Sequence, residues 1–239
     1  MRDRFLNARL FCMLNRLKIS VKQILRWMQD RRNGLRFARP AAIPTLPDQL
    51  SLVQPFLPSS TLSNKIHNIR LAAERIEAVT ILPGEVFSFW RIVGKPSAAN
   101  GFLKGRNIVS GVLSEDVGGG LCQLSGILYH LSLLGGLDVL ERYNHTLDLY
   151  VNEARYAPLG SDATVVWGHK DLRIRNPHPF PIRFRLQLEP HQLTAFIQCS
   201  SPITEHKIHF LTQAVTPKTI VETQNARGEV LTRSVYHLP

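Results

Sequence analysis

Three residues in the middle of the chain have side chains of the types that carry out thiol catalysis: Cys122, His145 and Asp162. In that chemistry a cysteine sulfur attacks a carbonyl carbon, a histidine takes the thiol proton, and a carboxylate holds the histidine in one tautomer. Asn144 or Asp148 could replace Asp162 in the last role. These residue types predict a cysteine-dependent amide hydrolase or acyl transferase. The competing interpretation is structural, with His145 hydrogen-bonded in the core or at a strand end and Asp162 serving only a turn.

The segment around Cys122 predicts a glycine-rich loop that runs into a helix. Glycines occupy positions 118–120, and the apolar run after Cys122 ends at two more glycines, at 135–136. Because glycine commonly follows the last residue of a helix, this pattern places Cys122 in a first helical turn. Unpaired backbone N–H groups there favour a thiolate and can hold an oxyanion. The residues predicted to bind the oxyanion or the substrate are Gly119, Gly120, Gln123, Ser125 and Asn144.

A helical wheel separates Cys122 from the leucines of the same helix. At about 100° per residue, most of the leucines form one stripe and Cys122 lies opposite it, among small and polar residues. That position favours a functional thiol. The alternative is an ordinary core cysteine, since free cysteine is among the most buried residue types.

The rest of the body predicts an α+β fold with helices packed on a mainly antiparallel sheet. Apolar residues at helical spacing indicate a core helix over 63–79. An extended run over 139–145 brings His145 back toward Cys122, and a strand predicted over 163–167 begins next to Asp162. Alternation along the chain then indicates further strands, including one that buries Cys199. The other predicted strands cover 108–113, 182–188, 206–211 and 229–238.

The N-terminal segment is strongly basic. Eleven of the 29 Lys and Arg residues lie in residues 1–40 with only two acidic residues, so most of the formal net charge of +11 belongs there. Helical spacing of the apolar residues predicts a basic amphipathic helical arm over 1–37. The arm could pack on the body with its charges solvated, contact an anionic membrane surface through residues 1–30, or contact nucleic acid, which is the least favoured partner. A proline-rich linker or extended wrap follows over 38–60, and the α+β domain covers 61–239.

No metal site or cofactor is predicted. The three cysteines Cys12, Cys122 and Cys199 form no CxxC pair, and His130 has no ligand partner at a standard spacing. The glycines at 118–120 lack the Lys-Ser/Thr that follows a phosphate-binding loop. Arginines interrupt any signal-peptide core, and no apolar run reaches the about 20 residues of a spanning helix. The sequence therefore predicts a cytoplasmic or peripherally membrane-associated protein.

Several blocks of sequence together resemble the VanW family, in family order over about residues 65 to 190. These blocks are 83–89, 118–125, 141–145, 158–165, and Asn176 with 179–182. The family is named for an accessory gene of glycopeptide-resistance clusters, so the resemblance implies peptidoglycan-type peptides as the substrate or ligand. It leaves two functions open. One is the thiol enzyme described above, and the other is a non-catalytic binding module for such peptides or for a protein partner, in which the glycine loop is a ligand cradle.

Overall fold

The computed structural model describes residues 2–41, 46–109, 112–148, 155 and 157–237. Within these residues the α-helices are α1 (Arg2–Arg32), α2 (Leu62–Glu77), α3 (Phe89–Val93) and α4 (Leu121–Leu134). The first seven strands are β1 (Arg39–Pro40), β2 (Asp48–Pro55), β3 (Val79–Thr80), β4 (Val86–Ser88), β5 (Lys104–Val109), β6 (Val112–Val117) and β7 (Asp138–Glu141). The others are β8 (Arg173–Arg175), β9 (Ile182–Leu188), β10 (Gln192–Cys199), β11 (Ile208–Val215), β12 (Lys218–Asn225) and β13 (Val230–His237).

The strands form small antiparallel sheets. Three sheets have three strands each, in the orders β2-β10-β9, β4-β8-β7 and β11-β12-β13, and two further pairs are β1-β3 and β5-β6. Each of these ladders is antiparallel. The predicted α+β class with a mainly antiparallel sheet arrangement is therefore confirmed.

Helices α2 and α4 carry much of the hydrophobic core. The predicted stripe of α2 is buried, with Ile69 and Ala72 fully inaccessible to solvent. Helix α4 is buried along most of its length, including Leu124 and Ile127. Cys199 of β10 is also fully buried, as its alternating pattern predicts. Apolar burial of this extent is the main driving force that fixes α4, and hence its first turn, in the molecule.

Two predicted strands have a different structure. The single strand predicted over 108–113 is instead divided between β5 and β6, which pair antiparallel, and residues 110 and 111 lie outside the described residues. The strand predicted over 163–167 is wrong, because this segment forms no ladder and only Val166 bridges to Lys170. Its backbone groups bond elsewhere: Ala163 O accepts from the Ser125 hydroxyl, and Thr164 N donates to Tyr143 O. The segment thus lies extended between α4 and the residues after β7.

Segments outside the central body also differ in detail from the predictions. Residues 48–55, inside the segment predicted as a linker or extended wrap, form β2 and pair along β10. Strand β12 was not predicted, and it joins β11 and β13 into a C-terminal meander. The N-terminal arm is the long helix α1. None of the helices in the described part of the chain is both long enough and apolar enough to cross a membrane.

Candidate functional site

The first turn of α4 presents Cys122 as its second residue. The preceding Gly120 is the N-cap with φ 98°, and Gly118 has φ 95°. A Cβ on Gly120 would lie 2.6 Å from Lys65 Cγ, and one on Gly118 would lie 2.8 Å from Pro96 Cβ. Both glycines are therefore needed for conformation and for space. The predicted loop-to-helix structure around Cys122 is present.

The Cys122 thiol lies half-buried against the extended segment that follows Asp162. Its sulfur is 3.5 Å from Thr164 Oγ1 and 3.8 Å from Val165 O. It also interacts with the side chain of His145. The backbone N–H of Cys122 donates to none of the described residues, as expected for a first-turn amide. A reacting group next to this sulfur would therefore meet a free amide donor.

The imidazole of His145 lies between Cys122 and Asp162. Its Nδ1 is 2.6 Å from Asp162 Oδ2, and its backbone N–H donates to the same oxygen at 2.7 Å. Because Nδ1 is bound to Asp162, Nε2 is the ring nitrogen that remains available. The side chains of His145 and Asp162 keep 25% and 27% of their surface exposed, so solvent reaches this cluster. The structure thus brings together the three residues that the sequence marked for catalysis.

The Asp162 carboxylate is held in place by further donors. Arg142 donates through Nη2 to Oδ1 at 2.9 Å and through Nε to the Asp162 carbonyl at 2.7 Å. The Tyr236 hydroxyl donates a short hydrogen bond to the same Oδ1. The Arg142 guanidinium is almost completely buried and lies over the ring of Tyr129, with 4.7 Å from its carbon to the ring centroid. These contacts leave the carboxylate little freedom to turn away from His145.

The electrostatics of the three groups favour a charged pair. Burial alone would raise the pKa of the Cys122 thiol, but its hydrogen bond and charge interaction with His145 outweigh burial and lower it. Burial would lower the pKa of His145, but hydrogen bonds to Asp162 and Cys122 raise it to about 10. Against burial, His145 and the Arg142 charge hold the pKa of Asp162 well below its usual range. These pKa shifts favour the charged form of each group, which is the direction that a thiolate–imidazolium pair with a supporting carboxylate requires.

Two of the residues predicted to bind substrate form hydrogen bonds within the protein. Ser125 is fully buried and its hydroxyl donates to Ala163 O at 2.7 Å, so it joins α4 to the extended segment. The Asn144 amide donates to His145 O at 2.7 Å and to Val235 O at 2.8 Å, which joins the site to β13. The burial and the internal hydrogen bond of Ser125 disfavour a direct contact between its hydroxyl and a ligand.

The remaining candidates around α4 have mixed roles. The Gln123 amide nitrogen donates to Pro55 O at 3.0 Å, so it is directed toward β2. Gly119 O accepts from the buried Asn68 side chain at 3.0 Å, which fixes the glycine loop. Asp148, the alternative partner for His145, forms an ion pair with Arg155 at 2.6 Å. Asp162 is the carboxylate that contacts the His145 ring, at 2.6 Å.

Three contributors to the site were not predicted from the sequence: Arg142, Thr164 and Tyr236. Arg142 and Thr164 lie inside blocks that carry the family resemblance, which was the available signal for them. Tyr236 lies in β13, far from these blocks, and nothing in the local sequence connects it to Asp162. No group of three or more metal-ligating side chains occurs among the described residues. His130 is instead buried edge-on against Phe210, with ring centroids 5.4 Å apart.

Comparison with known proteins identifies the family of this domain. A family model described as "VanW like protein" matches residues 64–198, which is more than half of the chain. The chain belongs to the VanW family. The VanW match includes Cys122, His145 and Asp162, whereas α1 and the meander β11–β13 lie outside it.

Two curated relatives have similar sequences. The chain is 39% identical over 127 residues to Uncharacterized protein YoaR of Bacillus subtilis, which covers 53% of this chain and 40% of that protein. It is 34% identical over 113 residues to Vancomycin B-type resistance protein VanW of Enterococcus faecalis, which covers 47% of this chain and 41% of that protein. The chain thus spans about two fifths of the length of these curated relatives. No solved structure matches it.

Proposed function

We propose that this protein is a cysteine-dependent amide hydrolase or acyl transferase, with Cys122 as nucleophile, His145 as acid–base and Asp162 as the group that orients His145. One observation supports this proposal above the others: the His145 imidazole lies 2.6 Å from the Asp162 carboxylate, close enough to Cys122 to lower the pKa of its thiol. A buried structural cysteine needs neither partner. The lowered pKa of the Cys122 thiol agrees with the role of a nucleophile.

The reaction has two steps. The Cys122 thiolate attacks the carbonyl carbon of an amide and forms a C–S bond. The C–N bond then breaks, the imidazolium of His145 gives its proton to the leaving amine, and a thioester remains on Cys122. Water in hydrolysis, or an amine in transfer, attacks the thioester carbon while His145 takes the proton of the incoming group. The C–S bond then breaks and the thiolate returns.

The oxyanion formed in each step needs hydrogen-bond donors. The Cys122 backbone N–H is unpaired among the described residues and lies at the positive end of α4. A preorganised amide in this position stabilises a developing negative charge without having to reorient. The left-handed Gly120 places the preceding loop beside that amide. This arrangement suits an acyl substrate whose carbonyl oxygen points into the first turn.

The proposed substrates are peptidoglycan-type peptides. The support comes from membership of the VanW family and from a relative that is named as a vancomycin resistance protein. A thiol hydrolase or acyl transferase from a family with a relative named for vancomycin resistance would act on amide bonds in such peptides. The cluster is partly open to solvent, which suits an extended peptide better than a small enclosed ligand.

Incubation with muropeptides from digested cell wall, followed by mass spectrometry, tests this function. We expect new cleavage or transfer products with the wild-type protein and a loss of at least about a thousandfold in rate for Cys122→Ala, because the nucleophile is absent. Acid quenching of the wild-type reaction should also trap an acyl adduct on the peptide that contains Cys122.

Cys199→Ala is the matched control, because Cys199 is a free cysteine buried in the core away from the site. It should retain the wild-type rate once its fold is verified by circular dichroism. If neither the wild type nor Cys199→Ala changes any muropeptide, while both bind them as tightly as Cys122→Ala does, the catalytic proposal is refuted. The protein would then be the non-catalytic binding module.

A further inference from the structure

The second half of α1 is oriented with its apolar side outward. Between residues 17 and 32 only Asp30 is buried, and only Ile19 and Arg26 are partly buried. Apart from Ile19, the large apolar side chains of this stretch are between 45% and 62% exposed. They are Leu17, Val21, Ile24, Leu25, Trp27 and Met28. An amphipathic helix that belonged to the core would bury this stripe and expose its charges.

The inner side of the same helix is held to the body mainly by ion pairs. Asp30 is buried and accepts from both Nη atoms of Arg173, at 2.6 and 3.1 Å, and from Arg91 at 3.1 Å. Arg26 pairs with Glu141 at the end of β7. Ile19 supplies the apolar contact, since a Cβ on Gly168 would lie 2.6 Å from its Cγ2. The body therefore fixes which side of α1 faces outward.

The outward face of residues 17–32 carries only positive charges. Its exposed cations are Lys18, Lys22, Arg31 and Arg32, and the only carboxylate in residues 17–32 is the buried Asp30. At about 100° per residue, Lys18 and Lys22 lie beside the apolar stripe, while Arg31 and Arg32 lie at its C-terminal end. Trp27 lies at the edge of the stripe with the Arg31 guanidinium over its ring, 5.6 Å from the centroid. Aliphatic side chains bordered by cations and an aromatic ring complement the headgroup region of an anionic bilayer.

We propose that residues 17–32 of α1 form a docking surface for an anionic lipid bilayer, with the helix lying in the plane of the headgroups and its ion-paired side on the body. The stretch is about 24 Å long at 1.5 Å per residue, which suits a helix lying on a surface. The charge complementarity selects this occupant over a second copy of the chain, because two such faces would oppose cation to cation. The proposal is independent of the function of Cys122.

Vesicle flotation of the full chain tests the proposal. We expect the protein to float with vesicles of phosphatidylcholine mixed with phosphatidylglycerol and to float much less with phosphatidylcholine alone or in raised salt. The double variant Ile24→Glu with Leu25→Glu should lose binding by at least about tenfold, because two aliphatic side chains leave the buried area and two negative charges enter it.

The matched control carries the same substitutions on another exposed apolar surface, Leu211→Glu with Val215→Glu on β11. This variant should float as the wild type does, and both variants should keep the wild-type melting midpoint. Equal flotation of the arm variant and the wild type, or no flotation of the wild type with either vesicle, overturns the proposal. If the wild type sediments as a dimer and binds no vesicles, while the arm variant sediments as a monomer, the proposal is also overturned. The face would then be an interface with a second copy of the chain.

Discussion

At the scale of single residues, the charge state of His145 decides what the cluster can do. Its pKa of about 10 lies above the unperturbed value of about 6.5, so the imidazolium persists at neutral pH. The stabilisation from its interactions with Asp162 and Cys122 is complete below pH about 6.5 and is lost as the pH rises through about 10. The proposed thiolate therefore has a cationic partner throughout the physiological range.

The pH dependence of Cys122 alkylation tests the proposed role of Asp162 as the partner of the His145 imidazolium. Iodoacetamide should label Cys122 with a midpoint below the free-thiol value of about 8.5, because His145 lowers the pKa of the thiol. In Asp162→Asn the imidazolium loses its carboxylate, so the midpoint should rise by about one unit or more. Peptide mapping by mass spectrometry separates the label on Cys122 from that on the other cysteines.

Asp148→Asn is the control for this measurement, because Asp148 pairs with Arg155 and was the alternative partner for His145. Its midpoint should equal that of the wild type. A shift in Asp148→Asn with none in Asp162→Asn would show that the orienting carboxylate has been wrongly assigned.

At the scale of elements, a buried charge network attaches α1 to the sheet β4-β8-β7. Arg173 of β8 donates to Asp30 of α1 and lies 3.4 Å from carboxylate oxygens of Asp171 and Glu141. Asp171 also accepts from the Ser88 hydroxyl at 2.6 Å and from the Trp90 backbone at 3.1 Å. From the sequence alone, Asp30 is an isolated acidic residue on a basic helix, and its charge is expected to be solvated. Only the tertiary structure reveals that it neutralises a buried arginine.

Asp30→Ala should lower the free energy of unfolding by about 3 kcal/mol, because it leaves part of the buried Arg173 charge without its bidentate partner. Because two other carboxylates remain near Arg173, we expect a loss of unfolding free energy at the lower end of the range for a broken buried ion pair. Urea unfolding followed by circular dichroism gives the value.

The comparison variant is Asp138→Ala, which breaks an ion pair with Arg175 in which both side chains are 40% or more exposed. Such surface pairs contribute about 1 kcal/mol or less, so its unfolding midpoint should change little. Equal losses in the two variants would contradict the assignment of Asp30 to a buried network.

At the scale of the whole molecule, the C-terminal meander completes the site although it lies outside the family match. Tyr236 donates to Asp162, and Ser234 accepts from Arg142. The turn before Asp162 also approaches β12 closely, since a Cβ on Gly160 would lie 2.7 Å from Val221 Cγ1. The domain that matches the family is thus not the whole unit that supports the cluster.

Removal of residues 200–239 should slow the alkylation of Cys122 at pH 7 by at least about tenfold, because Arg142 and Asp162 both lose partners. Tyr236→Phe keeps the ring and removes only one donor, so it should slow the labelling by a smaller factor. Wild-type labelling of the shortened chain would mean that β11–β13 do not support the site.

The sequence predicted the parts of this structure that depend on local pattern. The glycines around α4 defined both of its ends, and Cys122, His145 and Asp162 were recognised by type and converge in the structure. The sequence named Asp162 first as the partner of His145 but left Asn144 and Asp148 open, because the choice depends on Arg142 and Tyr236, which the fold brings together from separate parts of the chain. The extended segment 163–167 looked like a strand because its residue types fit one, although its hydrogen-bond partners come from Ser125 and Tyr143.

Glu141 and Arg142 are consecutive residues, yet they bind different parts of the molecule. The Glu141 carboxylate forms an ion pair with Arg26 of α1. The Arg142 guanidinium donates hydrogen bonds to the backbone carbonyl and to the carboxylate of Asp162. Successive side chains of an extended chain point to opposite sides, so a single peptide unit separates the attachment of the N-terminal helix from the support of the reactive cluster. A protease that released the helix would therefore leave Glu141 without that arginine directly beside the residue on which the geometry of Asp162 depends.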